Sequence, residues 1–184
     1  RLRPNGNAGM LVSSMDSFAA YQYDSAWTWE HQALIRARCV FGPAPIRERF
    51  EQIRREALAR ARRGHEVCAA LADMRRRQLD QRRESMVKRV LNDIQFIAEL
   101  GVLLNADARP DLLDSRATAE QLECLIACGW LGEASGGELA GIFREAASLR
   151  DRLFLERDCG EQLPEASIES IRRIWDSCFG LEER

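Results

Sequence analysis

Lysine, long apolar runs and a leader segment are scarce or missing in this sequence of 184 residues. Among its 27 basic residues only Lys88 is a lysine, and 29 acidic residues bring the formal net charge to −2. This balance argues against a protein that coats nucleic acid through bulk positive charge. No apolar run reaches the roughly 18 residues of a membrane span, and the first residues lack the apolar core of a signal peptide. We therefore expect a cytoplasmic chain without membrane or nucleic-acid partners.

Clustered metal ligands are also missing. The six cysteines form no Cys-x-x-Cys pair, and both histidines, His31 and His65, lie far in sequence from the closely spaced Cys124 and Cys128. A structural zinc site needs such ligands close together, so the spacing predicts no metal site. Without an export signal, all six cysteines are expected to be reduced thiols.

The first fifteen residues differ from the remainder. A turn cluster at residues 5–9 separates the short segment that ends at Pro4 from the apolar run Met10-Leu11-Val12, which predicts two strand ends joined by a tight loop. Two strands are not stable alone in water, and the chain does not begin with methionine. We therefore expect residues 1–15 to be the end of a domain that lies upstream, and residues 16–184 to form a helical domain.

From residue 16 onward, apolar residues recur at spacings of three and four, which is typical of amphipathic helices. The pattern predicts about seven helices and an all-α antiparallel bundle. Four expectations are specific. We expect a helix over Ala26–Val40, one long helix or two nearly end to end over Glu66–Leu100, a capping box from Thr118 to Gln121, and a loop at Gly136-Gly137.

Charge is distributed unevenly. Residues 47–89 hold 14 basic and 7 acidic residues, whereas residues 90–184 hold 9 basic and 19 acidic ones. Solvated helix faces with ion pairs four residues apart would explain this distribution. The alternative is a basic helix that meets phosphate or an acidic partner, because arginine binds such groups in a bidentate manner. The residues alone contain no complete catalytic constellation, and they predict a helical domain without an assigned reaction.

Two segments carry a resemblance to a known family. Residues 1–14, RLRPNGNAGMLVSS, and residues 26–34, AWTWEHQAL, closely resemble the adenylylating half of the glutamine synthetase adenylyltransferase family. Weaker matches follow in order, at Met74-Arg75 and at Asn92–Ile97, which resembles the family's DIEF segment with Gln95 in place of its glutamate. The chain thus resembles the carboxyl-terminal part of that half, strongly over residues 1–40 and moderately beyond.

The resemblance implies a parent protein that transfers AMP from ATP to a tyrosine of glutamine synthetase and, in its other half, removes it by phosphorolysis. It implies a nucleotidyltransferase head of the polymerase-beta type, of which residues 1–15 would be the last β remnant. It also implies Mg²⁺ and ATP as cofactors of the parent, glutamine as effector, and the signalling protein PII as partner. The family's metal-binding aspartates would precede residue 1, so we expect no catalytic or metal-binding residue here, no cofactor bound by this chain, and an inactive chain.

Four residues are expected near the nucleotide of the parent on the strength of the resemblance: Arg1, Arg3, Glu30 and Asp93. Arg1 and Arg3 could face phosphates or complete the sheet edge. Asp93 could instead cap a helix or pair with the arginine run at residues 75–77.

The densest match, Trp27, Trp29, His31 and Gln32, predicts a seam between the head and the bundle. Aromatic anchors bury large areas at such contacts, although core packing would also explain the tryptophans, and His31 could be a packing residue. Two further functional interpretations stay open. The first is a non-catalytic helical module that binds a partner, and the second is the related uridylyltransferase of PII.

Overall fold

The computed structural model describes residues 12–81, 85–156 and 162–180. Over these residues the chain is all-helical, which confirms the predicted bundle, with eight α-helices rather than about seven. A 3-10 helix, Pro110–Leu113, lies between the fifth and sixth of these α-helices. The α-helices are α1 Met15–Asp24, α2 Thr28–Ile35, α3 Ala44–Leu58, α4 Gly64–Gln81, α5 Met86–Asn105, α6 Thr118–Ala127, α7 Glu133–Glu156 and α8 Glu165–Phe179.

The predicted β remnant lies mainly in residues 1–11, outside the described part of the chain. Residues 12–14 have no regular secondary structure, and α1 begins at Met15, where the Ser14 hydroxyl accepts a hydrogen bond from the Ser17 N–H. The domain boundary near residue 15 therefore stays a prediction.

Helix α5 is the centre of the bundle. Every residue from Phe96 to Leu103 is buried, and α2, α4, α6, α7 and α8 all pack against α5. A helix that is apolar on nearly all sides is stable only when other helices cover it. The order of the surrounding helices therefore follows from the need to bury α5.

The segment between Glu66 and Leu100 is neither one helix nor two end to end, which corrects that expectation. Helix α4 ends at Gln81, and α5 begins at Met86 behind its N-cap Ser85, whose hydroxyl accepts from the Lys88 N–H at 3.4 Å. The two helices are antiparallel, because Arg75 contacts Asp93 and Gly64 lies opposite Leu104. Packing the apolar faces of both helices against each other buries more surface than a continuous helix would.

Two local predictions at the start of α6 and α7 are wrong. Thr118 is not a cap: α6 has Ala117 at its N-cap, and Thr118 is buried in the first turn. Gly136-Gly137 is not a loop, because α7 continues through it. A side chain at Gly136 would place its Cβ 2.3 Å from Ile126 Cγ1, so glycine is needed here for the close approach of α6 and α7.

The predicted helix over Ala26–Val40 is shorter than expected, and a buried arginine explains its end. Arg54 of α3 is fully buried and donates to the carbonyls of Leu34 and Ile35 at 3.1 and 2.6 Å. These carbonyls belong to the last turn of α2, where intrahelical donors run out. The Leu34 carbonyl also accepts from the Ala37 N–H at 3.1 Å, so the Ile35 carbonyl depends most on Arg54. The same guanidinium donates to the Leu113 carbonyl and to Glu51, so one side chain connects α2, α3 and the 3-10 helix.

We predict that Arg54→Leu lowers the free energy of unfolding by about 3–5 kcal/mol, because it removes the donors to the buried Ile35 and Leu113 carbonyls. Urea denaturation measures this loss. The matched control is Arg55→Leu at the next position, where a half-buried arginine pairs with Asp114 and Glu51; it should cost under about 1 kcal/mol. Equal losses in the two variants would contradict the role assigned to Arg54.

Candidate functional site

A groove with both polar and apolar walls lies between α2, α4 and α5. It has a volume of about 310 Å³, and we call it the α2–α5 groove. Its floor includes a buried glutamate, and exposed Arg36 and Lys88 lie at its rim. The lining residues are Trp29, Gln32, Ala33, Arg36, Met74, Gln78, Lys88, Asn92, Gln95, Phe96 and Glu99.

The groove brings together sequence segments that carry the family resemblance. Trp29 and Gln32 come from the tryptophan-rich segment, whereas Asn92 and Gln95 come from the segment at residues 92–97. Gln32 Nε2 donates to Glu99 Oε2 at 2.7 Å across a separation of 67 residues. The tryptophan-rich segment is therefore joined to α5 by a direct, buried hydrogen bond, two residues beyond the second segment.

Glu99 is the ionisable group at the floor of the groove. Its carboxylate also accepts from Gln95 Nε2 at 2.8 Å, and Arg36 donates to Gln95 Oε1 at 2.5 Å. Burial raises the pKa of Glu99 to about 7, and the hydrogen bonds from Gln32 and Gln95 oppose that rise only in part. The groove can therefore gain or lose a proton near neutral pH.

Gln32 is paired at only one end of its side-chain amide. Its Nε2 donates to Glu99, whereas its Oε1 is buried without a hydrogen-bond partner among the described residues. Because a buried acceptor without a donor is costly, the hydrogen bond to Glu99 is the polar contact that offsets the burial of this amide.

The predicted seam residues divide into two groups. Trp27 and Trp29 are 69% and 47% exposed, so packing in the core of this chain does not explain them. Val40, Phe41 and Ile46 are exposed apolar side chains in the same part of the sequence, and we call these five residues the aromatic surface. His31 and Gln32 point inward: His31 Nε2 donates to the Gln22 carbonyl at 2.9 Å, and burial lowers the pKa of His31.

Of the four residues predicted near a nucleotide, two lie in the described part of the chain. Glu30 is buried and accepts from the Tyr21 hydroxyl at 2.8 Å and from the Trp27 N–H at 3.0 Å, so its carboxylate caps α2 and ties it to α1. Asp93 accepts from Arg75 Nε at 2.6 Å, on the side of α5 away from the groove. Arg1 and Arg3 lie outside the described residues, and the nucleotide role of all four stays a prediction.

Sequence reasoning did not find Glu99, Arg36 or Lys88. Glu99 did leave a signal, since it is the one acidic residue between Ile94 and Leu103, in the middle of an apolar helix. An acid on the buried face of a helix either pairs or shifts its pKa. Arg36 and Lys88 left no such signal, because only the packing of α2 against α4 and α5 brings them to the groove.

The described residues do not fit a magnesium site. Among residues 12–81, 85–156 and 162–180, no three His, Cys, Asp or Glu side chains converge as metal ligands, whereas Mg²⁺ bound to a triphosphate requires carboxylates. No step involving Mg²⁺ or ATP is therefore assigned to them. In the same ranges, no helix combines the length and apolarity of a membrane span.

We predict that Glu99→Gln flattens the pH dependence of stability. Because the folded pKa is about 7 against an ordinary 4.5, the wild-type chain should lose up to about 3 kcal/mol of unfolding free energy as pH rises from 4.5 to 7.5. The variant lacks this titration and should not lose it. Urea denaturation at several pH values measures the difference, and parallel pH profiles for the two proteins would contradict the assigned titration.

A match to a family model and the similarity to curated relatives both support the resemblance. A family model described as glutamate-ammonia ligase adenylyltransferase matches residues 1–53. A bifunctional glutamine synthetase adenylyltransferase/adenylyl-removing enzyme of Xanthomonas axonopodis is 40% identical over 76% of this chain and 16% of its own length. The proteins of the same description from Shewanella woodyi and Neisseria meningitidis serogroup B are each 33% identical, over 96% and 99% of this chain.

The alignments differ greatly in the share of each protein that they cover. They extend over most of this chain, but the chain spans only about a fifth of the length of these curated relatives. The alignment with the Neisseria meningitidis protein covers 99% of this chain, so it includes the helices that enclose the groove. The chain belongs to the glutamine synthetase adenylyltransferase family.

Proposed function

We propose that this chain is the helical region of an enzyme that transfers AMP from ATP to a tyrosine of glutamine synthetase and so regulates nitrogen assimilation. The observation that carries the proposal is the similarity of most of this chain to bifunctional glutamine synthetase adenylyltransferase/adenylyl-removing enzymes, at 33–40% identity. The buried Gln32–Glu99 hydrogen bond joins the tryptophan-rich family segment to α5 at one groove. Removal of the AMP by phosphorolysis would belong to the other half of the longer protein.

The aromatic surface supports a seam with a nucleotidyltransferase head. Large exposed apolar side chains are typical of surfaces that contact another domain. Trp27 lies between α1 and α2, where Glu30 accepts hydrogen bonds from the Tyr21 hydroxyl and from the Trp27 N–H. The family model covers all five residues of this surface. We infer that Glu30 positions the two tryptophans, and that they transmit the arrangement of the groove to the head.

Glutamine as effector and PII as partner are proposed for the longer protein on the family resemblance. The α2–α5 groove offers polar groups for a small ligand, since Arg36, Lys88 and Glu99 lie around one cavity. Mg²⁺ and ATP are proposed to act in the head and not at the described residues.

We predict that Trp27→Ala combined with Trp29→Ala, placed in a protein that carries this chain together with its head, lowers AMP transfer to glutamine synthetase at least tenfold. The rate is measured with radiolabelled ATP. In the 184-residue chain alone, where both side chains are exposed, the double substitution should leave the urea midpoint unchanged. Phe154→Ala on α7, at an equally exposed apolar residue, should keep the full rate. An unchanged rate in the tryptophan variant would reject the seam.

We also expect the 184-residue chain by itself to transfer no AMP and to bind no Mg²⁺-ATP, since the reaction is proposed to occur in the head. Incubation with purified glutamine synthetase and labelled ATP tests the first expectation, and titration calorimetry tests the second. Labelling of the synthetase above the level of a protein-free control would show that this chain is itself catalytic.

A further inference from the structure

A second cavity lies between α4, α5 and α8 and has a volume of about 440 Å³. It shares no lining residue with the α2–α5 groove. On α5 the groove is lined by Lys88, Asn92, Gln95, Phe96 and Glu99, whereas the second cavity is lined by positions 86, 89, 90 and 93. Helical periodicity places these two sets on different faces of α5, with Phe96 near the boundary between them. The cavity is therefore a separate site, beyond the proposed function.

The interior of this cavity is apolar. Ala69 and Ala72 of α4 leave space opposite Val90 of α5 and Ile168 of α8. Trp175 forms part of the wall, and its ring is fixed by stacking on Phe179 with centroids 4.0 Å apart. A volume of this size with apolar walls is typical of sites for small organic ligands.

The charges around the cavity do not balance. Four arginines and two aspartates line it. Both aspartates are occupied: Asp93 pairs with Arg75 at 2.6 Å, and Asp73 pairs with Arg76 and with Arg77. The remaining two arginines lie on different helices and make no ion pair with any described residue; they are Arg89 of α5 and Arg172 of α8.

We propose that this cavity binds a small amphipathic anion, with an aromatic or aliphatic body between the apolar walls and a carboxylate, sulfonate or phosphate group between Arg89 and Arg172. Guanidinium groups bind such anions through paired N–H donors, and both arginines are exposed at the edge of the cavity, where an anion can reach them.

The alternatives fit the cavity less well. A cation would meet the surplus of guanidinium groups, and a small zwitterion without an apolar part would leave the walls at Val90, Ile168 and Trp175 uncovered. A neutral apolar molecule would fill the interior without using Arg89 or Arg172. Only a ligand with both an apolar body and a negative group matches the walls and the rim together.

The test uses 8-anilino-1-naphthalenesulfonate, an aromatic anion whose fluorescence rises in apolar surroundings, with the full 184-residue chain. We expect saturable binding of one probe per chain. Arg89→Gln combined with Arg172→Gln should weaken binding at least tenfold, whereas Arg144→Gln, at an exposed arginine of α7 away from the cavity, should not. The neutral analogue N-phenyl-1-naphthylamine should bind the wild type and the double variant equally.

A second variant tests the apolar part of the site. Ala69 is exposed on α4 and lines the cavity, so Ala69→Trp should fill it without disturbing the core and should abolish binding while both arginines remain. Urea denaturation of every variant verifies that it is folded. Unchanged affinity in a folded double arginine variant, or in folded Ala69→Trp, would overturn the proposal, as would binding of many probes without saturation.

Discussion

The burial of α5 is the constraint on which the rest of this structure depends. From Phe96 to Leu103 the helix has no exposed face, so it needs cover on all sides, and α2, α4, α6, α7 and α8 supply it. Hydrophobic burial has no preferred direction, and it would allow these helices to slide along α5. Specific polar contacts fix their positions, with Gln32 bonded to Glu99 on one side and Arg75 bonded to Asp93 on the other.

Such contacts explain how the tryptophan-rich family segment is fixed in the structure. Helix α2 has only eight residues, which is too short to be stable alone in water. Side-chain hydrogen bonds stabilise both of its ends. Glu30 caps its first turn with help from Tyr21, and Arg54 satisfies the carbonyls of its last turn. A short helix fixed in this way presents Trp27 and Trp29 at the surface in a defined orientation. The same helix places Gln32 against the buried carboxyl of Glu99. The exposed tryptophans and the buried glutamine of the motif therefore lie on one helix and are positioned together.

The arrangement also separates two kinds of site on the α4–α5 pair. The α2–α5 groove combines polar and apolar walls and contains a titratable carboxyl that burial moves to a pKa of about 7. The cavity on another face of α5 is mainly apolar and has exposed arginines at its edge. Burial raises the pKa of the carboxyl in the first, whereas the second combines apolar walls with guanidinium groups that an anion can reach.

Much of this could be predicted from the sequence, because amphipathic periodicity and motif similarity are local properties. The spacing of apolar residues determined the all-helical class, and the tryptophan-rich segment determined the family. Only the tertiary structure decided which polar residues meet. No glycine or proline separates the sequences of α4 and α5, so the antiparallel packing of these helices was not foreseen, and Gly136 resembles a loop residue until the approach of Ile126 is known. Gln32 and Glu99 are 67 residues apart, and their contact depends on how two helices pack against α5, which is a property of the whole core and of no single segment.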